Sequence, residues 1–271
     1  MKYADLHVHT SESDGTFSPR QLVKASLARG FSAIAIVDHD TIGAIPEALE
    51  ASRGTDLEVI AGIELTAQYD NQEIHILGYF LDCRNKALLE KLKLMQINRI
   101  ERVYKIVNNL EAEGVKINPQ TVFEISGKGS VGRMHIAKAL IKEGWVTTPA
   151  EAFRKYIGDK SPSYVLGFNL SPLEAINLIK GAGGVAVLAH PYMLHNEELI
   201  SELAASGLQG IEVYYPEHSQ SMVNFYLDLA KRLNLLVTGG SDFHGSVKPE
   251  IKLGVIKIPI ELVEKIRQVN R

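Results

Sequence analysis

A chain of 271 residues, 45% hydrophobic and 23% charged, can bury a sizeable core and reads as one compact globular domain carrying a subdomain. Its formal net charge of −3 excludes a broad basic field for non-specific grip on nucleic acid, so any nucleotide has to be held by a local site. Cys83 is the only cysteine, which excludes an internal disulfide and suits the reducing cytoplasm. The N-terminal residues lack the apolar core of a signal peptide, and no apolar run reaches the ~18 residues of a membrane span. These features predict a soluble cytoplasmic protein with no membrane contact and no implied protein partner.

Along the chain, short apolar runs alternate with amphipathic segments. Residues 3–9 (YADLHVH) predict a first strand, and 18–30 a helix in which Ser18 before Pro19 offers the N-cap and first helical position while Gly30 closes the end. Strands follow at 33–38 (AIAIVD), 58–65 (EVIAGIEL) and 73–80 (EIHILGYF). The rhythm then breaks. Residues 85–114 read as one long charged helix, with shorter helical pieces after it through VGRMHIAKALIKEG, so 85–165 is expected to be a helical insertion. A helix over 171–183 and strands at 184–190, 210–215 and 235–242 resume the alternation. Near-continuous apolar strands alternating with helices predict a parallel sheet covered by helices, closed into a barrel or open.

The stretch ADLHVHTSESDGTFSP (4–19) puts His7 and His9 two apart, so both point to one face of the first strand, and Asp14 follows in the loop. The other strands end in similar residues. His39 lies in VDHD, Glu64 in GIEL, His190 in LAHP, and Asp242 with His244 in GGSDFH. Loops at the carboxyl ends of parallel strands build the active sites of α/β folds, so these residues are expected on one rim. His75 sits early in its strand and fits that argument less well. A single strand-end histidine is usually structural, but histidines ending several strands with acids beside them point to metal binding.

The donor types limit the metal. Without clustered thiolates a structural zinc site is excluded, and mixed imidazole and carboxylate donors suit Mn2+, Fe2+ or catalytic Zn2+. The candidates are too many for one ion; two or three ions ~3.5–4 Å apart, bridged by Glu64, fit the count and would ready a water for hydrolysis near neutral pH.

Together, DLHVHTSESDGTFSP, IVDHDT, GIELTA, HILGYF, LAHP and GSDFH resemble the polymerase and histidinol phosphatase (PHP) family over nearly the whole chain. The resemblance is greatest to stand-alone bacterial phosphoesterases whose insertion carries a GRPH element. It implies an α/β fold, a distorted (βα)7 TIM-like barrel formed by 1–84 and 166–271, with the helical insertion 85–165 covering the active site. It also implies a trinuclear centre, commonly Mn2+. By that resemblance one ion takes His7, His9, Glu64 and Asp242; a second takes Glu64, His75 and His190; a third takes Asp14, His39 and His244.

The insertion reads VGRMHIAKAL, with Met134 where the family motif has proline. Arg133 offers a planar fork matched to phosphate oxygens, and His135 is a candidate phosphate contact or leaving-group acid. A surface arginine and a packed histidine are the alternative. His218 is a candidate substrate contact; Tyr214 and Tyr215 could stack on a base, though core packing is the more frequent fate of such residues, and Lys160 and Tyr164 are weaker candidates. His195 is expected as a solvated helix start. Asp38, Asp40 and Glu212 are candidates for orienting ligand imidazoles, or are simply loop and strand-end charges. The resemblance implies a metal-dependent phosphoesterase acting on 3′,5′-bisphosphonucleosides or short 5′-phosphorylated RNA, releasing phosphate. Histidinol-phosphate phosphatase is the second reading. An amidohydrolase-type C–N hydrolase lacks its usual lysine at a central strand end here, and a non-catalytic module should have lost ligands.

Overall fold

The computed structural model describes residues 2–70, 72–168, 170–194 and 196–270. His195, expected at a helix start, lies outside them. In chain order the barrel begins with β1 (Tyr3–Val8), α1 (Pro19–Ala28), β2 (Ala33–Ile36), α2 (Ile45–Ser52), β3 (Glu58–Tyr69) and β4 (Gln72–Tyr79). The segment after β4 holds α3 (Lys86–Ala112), α4 (Pro119–Ser126), α5 (Arg133–Lys142) and α6 (Pro149–Ala152), the last running into a π-helical turn, Phe153–Ile157. The chain closes with α7 (Pro172–Gly181), β5 (Val185–Leu188), α8 (Glu197–Ala205), β6 (Gly210–Tyr214), α9 (Gln220–Leu233), β7 (Leu236–Gly239), β8 (Ile258–Pro259) and α10 (Ile260–Val269).

All eight strands form one sheet in the order β7-β6-β5-β4-β3-β2-β1-β8. The sheet curls until its ends almost meet. Val8 bridges to Phe243, and the His9 N–H donates to the Phe243 carbonyl at 3.0 Å. Closure depends on Gly240, where a Cβ would stand 2.3 Å from the His7 nitrogen. The result is a distorted TIM-like α/β barrel.

The expected all-parallel order is corrected at β4, which runs antiparallel to both β3 and β5. β3 ends at Tyr69 and β4 begins at Gln72, an interval far too short for the crossover that parallel neighbours require. An eighth strand, unforeseen because two residues show no alternation, pairs antiparallel with β1 at the sheet edge. Pro259, with no N–H to give a ladder, is tolerated at such an edge.

Packing follows the period of two. Ile34 and Ile36 of β2 join a cluster with Leu22 and Val23 of α1, whereas Ala33 and Ala35 join one with Leu77, Tyr79 and Val187. α3 divides lengthwise. Leu88, Leu92 and Met95 pack with β3, β5 and α7, while Val103, Ile106 and Leu110 join Val122, Ile136 and Leu140 in a separate cluster. Among the described residues, no helix is long and apolar enough to cross a membrane.

The Ser-Pro helix starts form as expected. The Ser18 side chain accepts the Gln21 N–H while Gln21 returns a bond to the Ser18 N–H, and Ser171 and Glu174 do the same for α7. Ser18→Ala should therefore cost about 1 kcal/mol in urea denaturation. An unchanged midpoint would mean that packing alone holds the α1 entry.

Candidate metal centre

His7 on β1 and His9, just past its end, turn to the same side, both ring Nε2 atoms meeting Glu64 and Asp242. β2 leads into a loop that carries His39, while Asp40 takes a left-handed backbone with φ of 53°. Glu64 lies mid-strand on β3. On β4, His75 pairs with Thr66, two residues beyond Glu64, and its side chain approaches Glu64 because an antiparallel strand begins at the rim where its neighbours end. His190 (φ 26°) and Asp242 (φ 52°) leave β5 and β7 in conformations that non-glycine residues seldom adopt, a strain characteristic of functional rims.

The side chains converge on Glu64. Its Oε2 lies 3.5 Å from His7 Nε2, 3.2 Å from His9 Nε2 and 3.2 Å from His39 Nδ1. Its Oε1 lies 2.8 Å from His75 Nδ1 and 3.1 Å from His190 Nε2. Asp242 Oδ1 stands 3.3 Å from His7 Nε2 and 3.2 Å from His9 Nε2, and Asp14 Oδ1 is 3.1 Å from His244 Nε2. All nine residues expected as ligands therefore meet in one place. Donor atoms of eight of them form three overlapping groups, each spanning no more than 4.8 Å: His9, Asp14, His39 and His244; His7, His9 and Asp242; His39, Glu64 and His75, with His190 attached through Glu64. Relative to the sets implied by the resemblance, His9 also reaches the Asp14 group, and His39 also reaches the Glu64–His75 group.

Burial alone would raise the pKa of Glu64, but His39, His75 and His7 override it and hold the carboxylate well below its usual range. Burial would lower that of His9, yet the carboxylates of Asp242 and Glu64, each 3.2 Å from Nε2, push it up to about 9. The pocket is built to attract positive charge. Several of its buried atoms have no hydrogen-bond partner, namely His7 Nε2, both His9 ring nitrogens, His39 Nδ1, Asp14 Oδ1 and Glu64 Oε2. Buried polar atoms seldom stay unsatisfied, and these aim at a common space. Imidazole and carboxylate donors so arranged fit divalent cations.

A further layer fixes the ring orientations. His7 Nδ1 donates to Glu212 Oε1 at 2.9 Å, which turns the Nε2 lone pair toward Glu64, and Glu212 also accepts the His190 N–H at 2.8 Å. Asp242 is held by Tyr215 Oη at 2.9 Å and Lys248 Nζ at 2.6 Å, both on Oδ2, leaving Oδ1 to the histidines. Asp38 and Asp40 depart from the expected role. Asp38 accepts from the Thr10 N–H and hydroxyl and from Ser13, and Asp40 accepts from the Thr66 N–H and Arg99. They brace loops and orient no imidazole directly.

Beside the centre, His39, His75 and Asp14 share a cavity of about 140 Å³ with Arg99, Arg102 and Arg133. Arg133 Nη2 donates to Glu73 Oε2 at 2.8 Å and Nη1 to Asp159 Oδ1 at 2.5 Å. Its guanidinium also lies 5.1 Å from the Tyr164 ring centre. Arg102 takes the other Glu73 oxygen at 2.7 Å. Burial would raise the pKa of Glu73, but Arg133 and Arg102 bring it down to about 2. Glu73, Arg99, Arg102, Tyr215 as an anchor and Lys248 escaped the sequence reading. The available signals were Glu73 two residues before His75 on one strand face, and Arg99 and Arg102 one turn apart on α3.

Other candidates stand differently from expectation. His135 Nδ1 accepts the Gly132 N–H at 3.0 Å. Burial lowers its pKa to about 4, so the ring is neutral near pH 7, and through Nδ1 it props the start of α5. His218 Nδ1 donates to the Val213 carbonyl at 2.8 Å, and its ring touches Tyr215, which in turn touches His190. Tyr215 is 5% exposed with its hydroxyl committed to Asp242, and Tyr214 packs into the core, so neither presents a free stacking face. Lys160 lies in a separate surface cavity with Arg154 and Lys155.

Barrel and site define a metal-binding protein of the α/β-barrel class. A PHP domain model matches residues 5–145. The 3′,5′-nucleoside bisphosphate phosphatase of Chromobacterium violaceum is 33% identical over 250 residues, 90% of this chain and 88% of that protein. A 5′-3′ exoribonuclease of Haemophilus influenzae is 32% identical over 248 residues, 90% of each chain. A solved Bifidobacterium adolescentis structure, provisionally assigned as a metal-dependent phosphoesterase, superposes with a TM-score of 0.90 at 34% identity, covering 97% of this chain and 94% of that one. The chain belongs to the PHP family and is an enzyme of the phosphoric ester hydrolase class.

Proposed function

We propose that this enzyme removes a phosphate from nucleotides that carry a second phosphate, with 3′,5′-bisphosphonucleosides as the leading class and short 5′-phosphorylated RNA as a related one. One observation carries the reading: a single cavity joins the imidazole–carboxylate centre to Arg99, Arg102 and Arg133. Two anion-binding regions side by side suit a substrate with two anionic groups, the reacting one at the centre and the other among the arginines. The names of the C. violaceum and H. influenzae relatives support the nucleotide class.

Two or three divalent ions, most simply Mn2+, would be held by His7, His9, Asp14, His39, Glu64, His75, His190, Asp242 and His244. When bound, such ions neutralise phosphate oxygens and make water acidic enough to act as a nucleophile near neutral pH. The chain's own residues supply the rest. Glu64 presents one oxygen to each side of the cluster, and Glu212 holds His7 in the tautomer whose lone pair faces it. Arg133 binds the phosphate that does not react, and His135 sets the helix start that aims Arg133. Residues 85–165 act as a helical subdomain that covers the site and limits water, while 1–84 and 166–271 form the barrel. A single thiol suits a cytoplasmic enzyme.

The test is an assay of the Mn2+-reconstituted protein on adenosine 3′,5′-bisphosphate, 5′-phosphorylated oligoribonucleotides and histidinol phosphate, with a chelator and His39→Ala as controls. The bisphosphate or the short RNA should be turned over fastest, and chelation should abolish activity. Arg133→Ala should raise KM for the bisphosphate by about 10- to 100-fold, the worth of a charge-assisted pair, with bound metal unchanged. Preference for histidinol phosphate would overturn the substrate class, and an unchanged KM would remove the role of Arg133.

A further inference from the structure

The guanidinium that the proposed function gives to a phosphate is already occupied. Arg133 faces two carboxylates, and the two are not equivalent. Glu73 is 14% exposed and uses one oxygen for Arg133 and the other for Arg102, so losing it would strand two nearly buried cations. Asp159 is 67% exposed, stands on the turn after the π-helical segment, and contacts only Arg133 among its ion-pair partners. An exposed ion pair holds weakly against solvent, so Asp159 can be exchanged where Glu73 cannot.

Charge counting points the same way. Arg99 is matched by Asp40, and Arg102 with Arg133 by Glu73 with Asp159. A pocket already balanced gains little from another anion unless one carboxylate leaves. With Arg133, Glu73 and His75, Asp159 also lines a second cavity, of about 120 Å³, that reaches His190 and Met193. The arginine-lined cavity shares Arg133, Glu73 and His75 with it but not Asp159.

We propose that Asp159 is a specificity-determining residue, a built-in carboxylate that occupies Arg133 until a phosphate group of the substrate displaces it. This rests on the assignment of Arg133 to the non-reacting phosphate. Asp159 sets the threshold for occupancy. Anions that bind Arg133 more strongly than one flexible carboxylate, such as dianionic phosphates, enter, and weaker ones are turned away.

The test is isothermal titration of the full-length, metal-loaded protein with inorganic phosphate, in wild type, Asp159→Asn, Arg133→Ala and the double variant. Asp159→Asn should bind phosphate about fivefold more tightly, the worth of an exposed pair, and the gain should vanish in the Arg133→Ala background. Asp159→Glu, which keeps the charge, should stay near wild type. No gain in Asp159→Asn, or an equal gain with Arg133 already removed, would overturn the proposal. Because this readout is binding and not turnover, it separates the two readings. A protein that hydrolyses bisphosphates yet shows no Asp159 effect would keep the function and lose the gate. One that shows the effect without turning over bisphosphates would keep the gate and lose the substrate.

Discussion

Glu64→Gln should lower turnover by about a thousandfold and strip the protein of most of its divalent metal, without unfolding the barrel. The substitution keeps the shape and removes one charge and one acceptor oxygen. Both oxygens are in use: Oε2 serves His7, His9 and His39 and Oε1 serves His75 and His190, so Glu64 is where the two halves of the centre meet. A carboxamide can present a single, uncharged acceptor to one half and must turn an N–H toward the other, where it faces lone pairs. Loss should therefore exceed that from any single histidine at the edge of the cluster. Steady-state kinetics with elemental analysis of the purified variant checks this. A variant that retained its metal and more than a tenth of its activity would remove Glu64 from the bridging position.

The second large effect belongs to Glu73. Glu73→Gln should destabilise the protein by about 3–5 kcal/mol at neutral pH, since it leaves Arg102 and Arg133, 9% and 15% exposed, without their shared anion. The dependence on pH gives the sign. Unfolded, this carboxyl titrates near 4.5; folded, Arg133 and Arg102 override burial and hold it at about 2. The native state therefore binds fewer protons between these values. The contribution of Glu73 is complete above about pH 4.5 and is lost as pH falls through about 2. Denaturant titrations of wild type and variant should differ most at pH 7 and converge toward pH 2. A gap that stayed constant with pH would mean that the cost came from packing rather than charge.

How much of this was legible beforehand depends on the range of the interaction. His7 and His9 could be paired from spacing alone, because alternate residues of a strand share a face whatever surrounds them. His39, His190, Asp242 and His244 could be assembled from a general rule about strand ends in α/β folds. His75 could not, since that rule assumes parallel strands and β4 runs the other way. The short interval between Tyr69 and Gln72, too brief for a parallel crossover, is the clue to that reversal. The arginine cavity was less legible still. Arg133 was visible as a candidate, but its dependence on Glu73, 60 residues earlier, and on Asp159, 26 residues later, was not.

The sequence by itself determined which chemistry is available: imidazoles and carboxylates in quantity, no clustered thiols, and a strand–helix alternation that sends most of them to one rim. Only the tertiary structure decided how that chemistry is shared out. It set which oxygen of Glu64 serves which histidine, which ring nitrogen of His7 is committed to Glu212, and which arginine is already matched. The physical reason is that donor type and strand period are properties of a residue and its near neighbours. Hydrogen-bond partners and charge balance are properties of space, fixed when the nearly closed sheet and the helices over it bring distant segments within about 3 Å of one another.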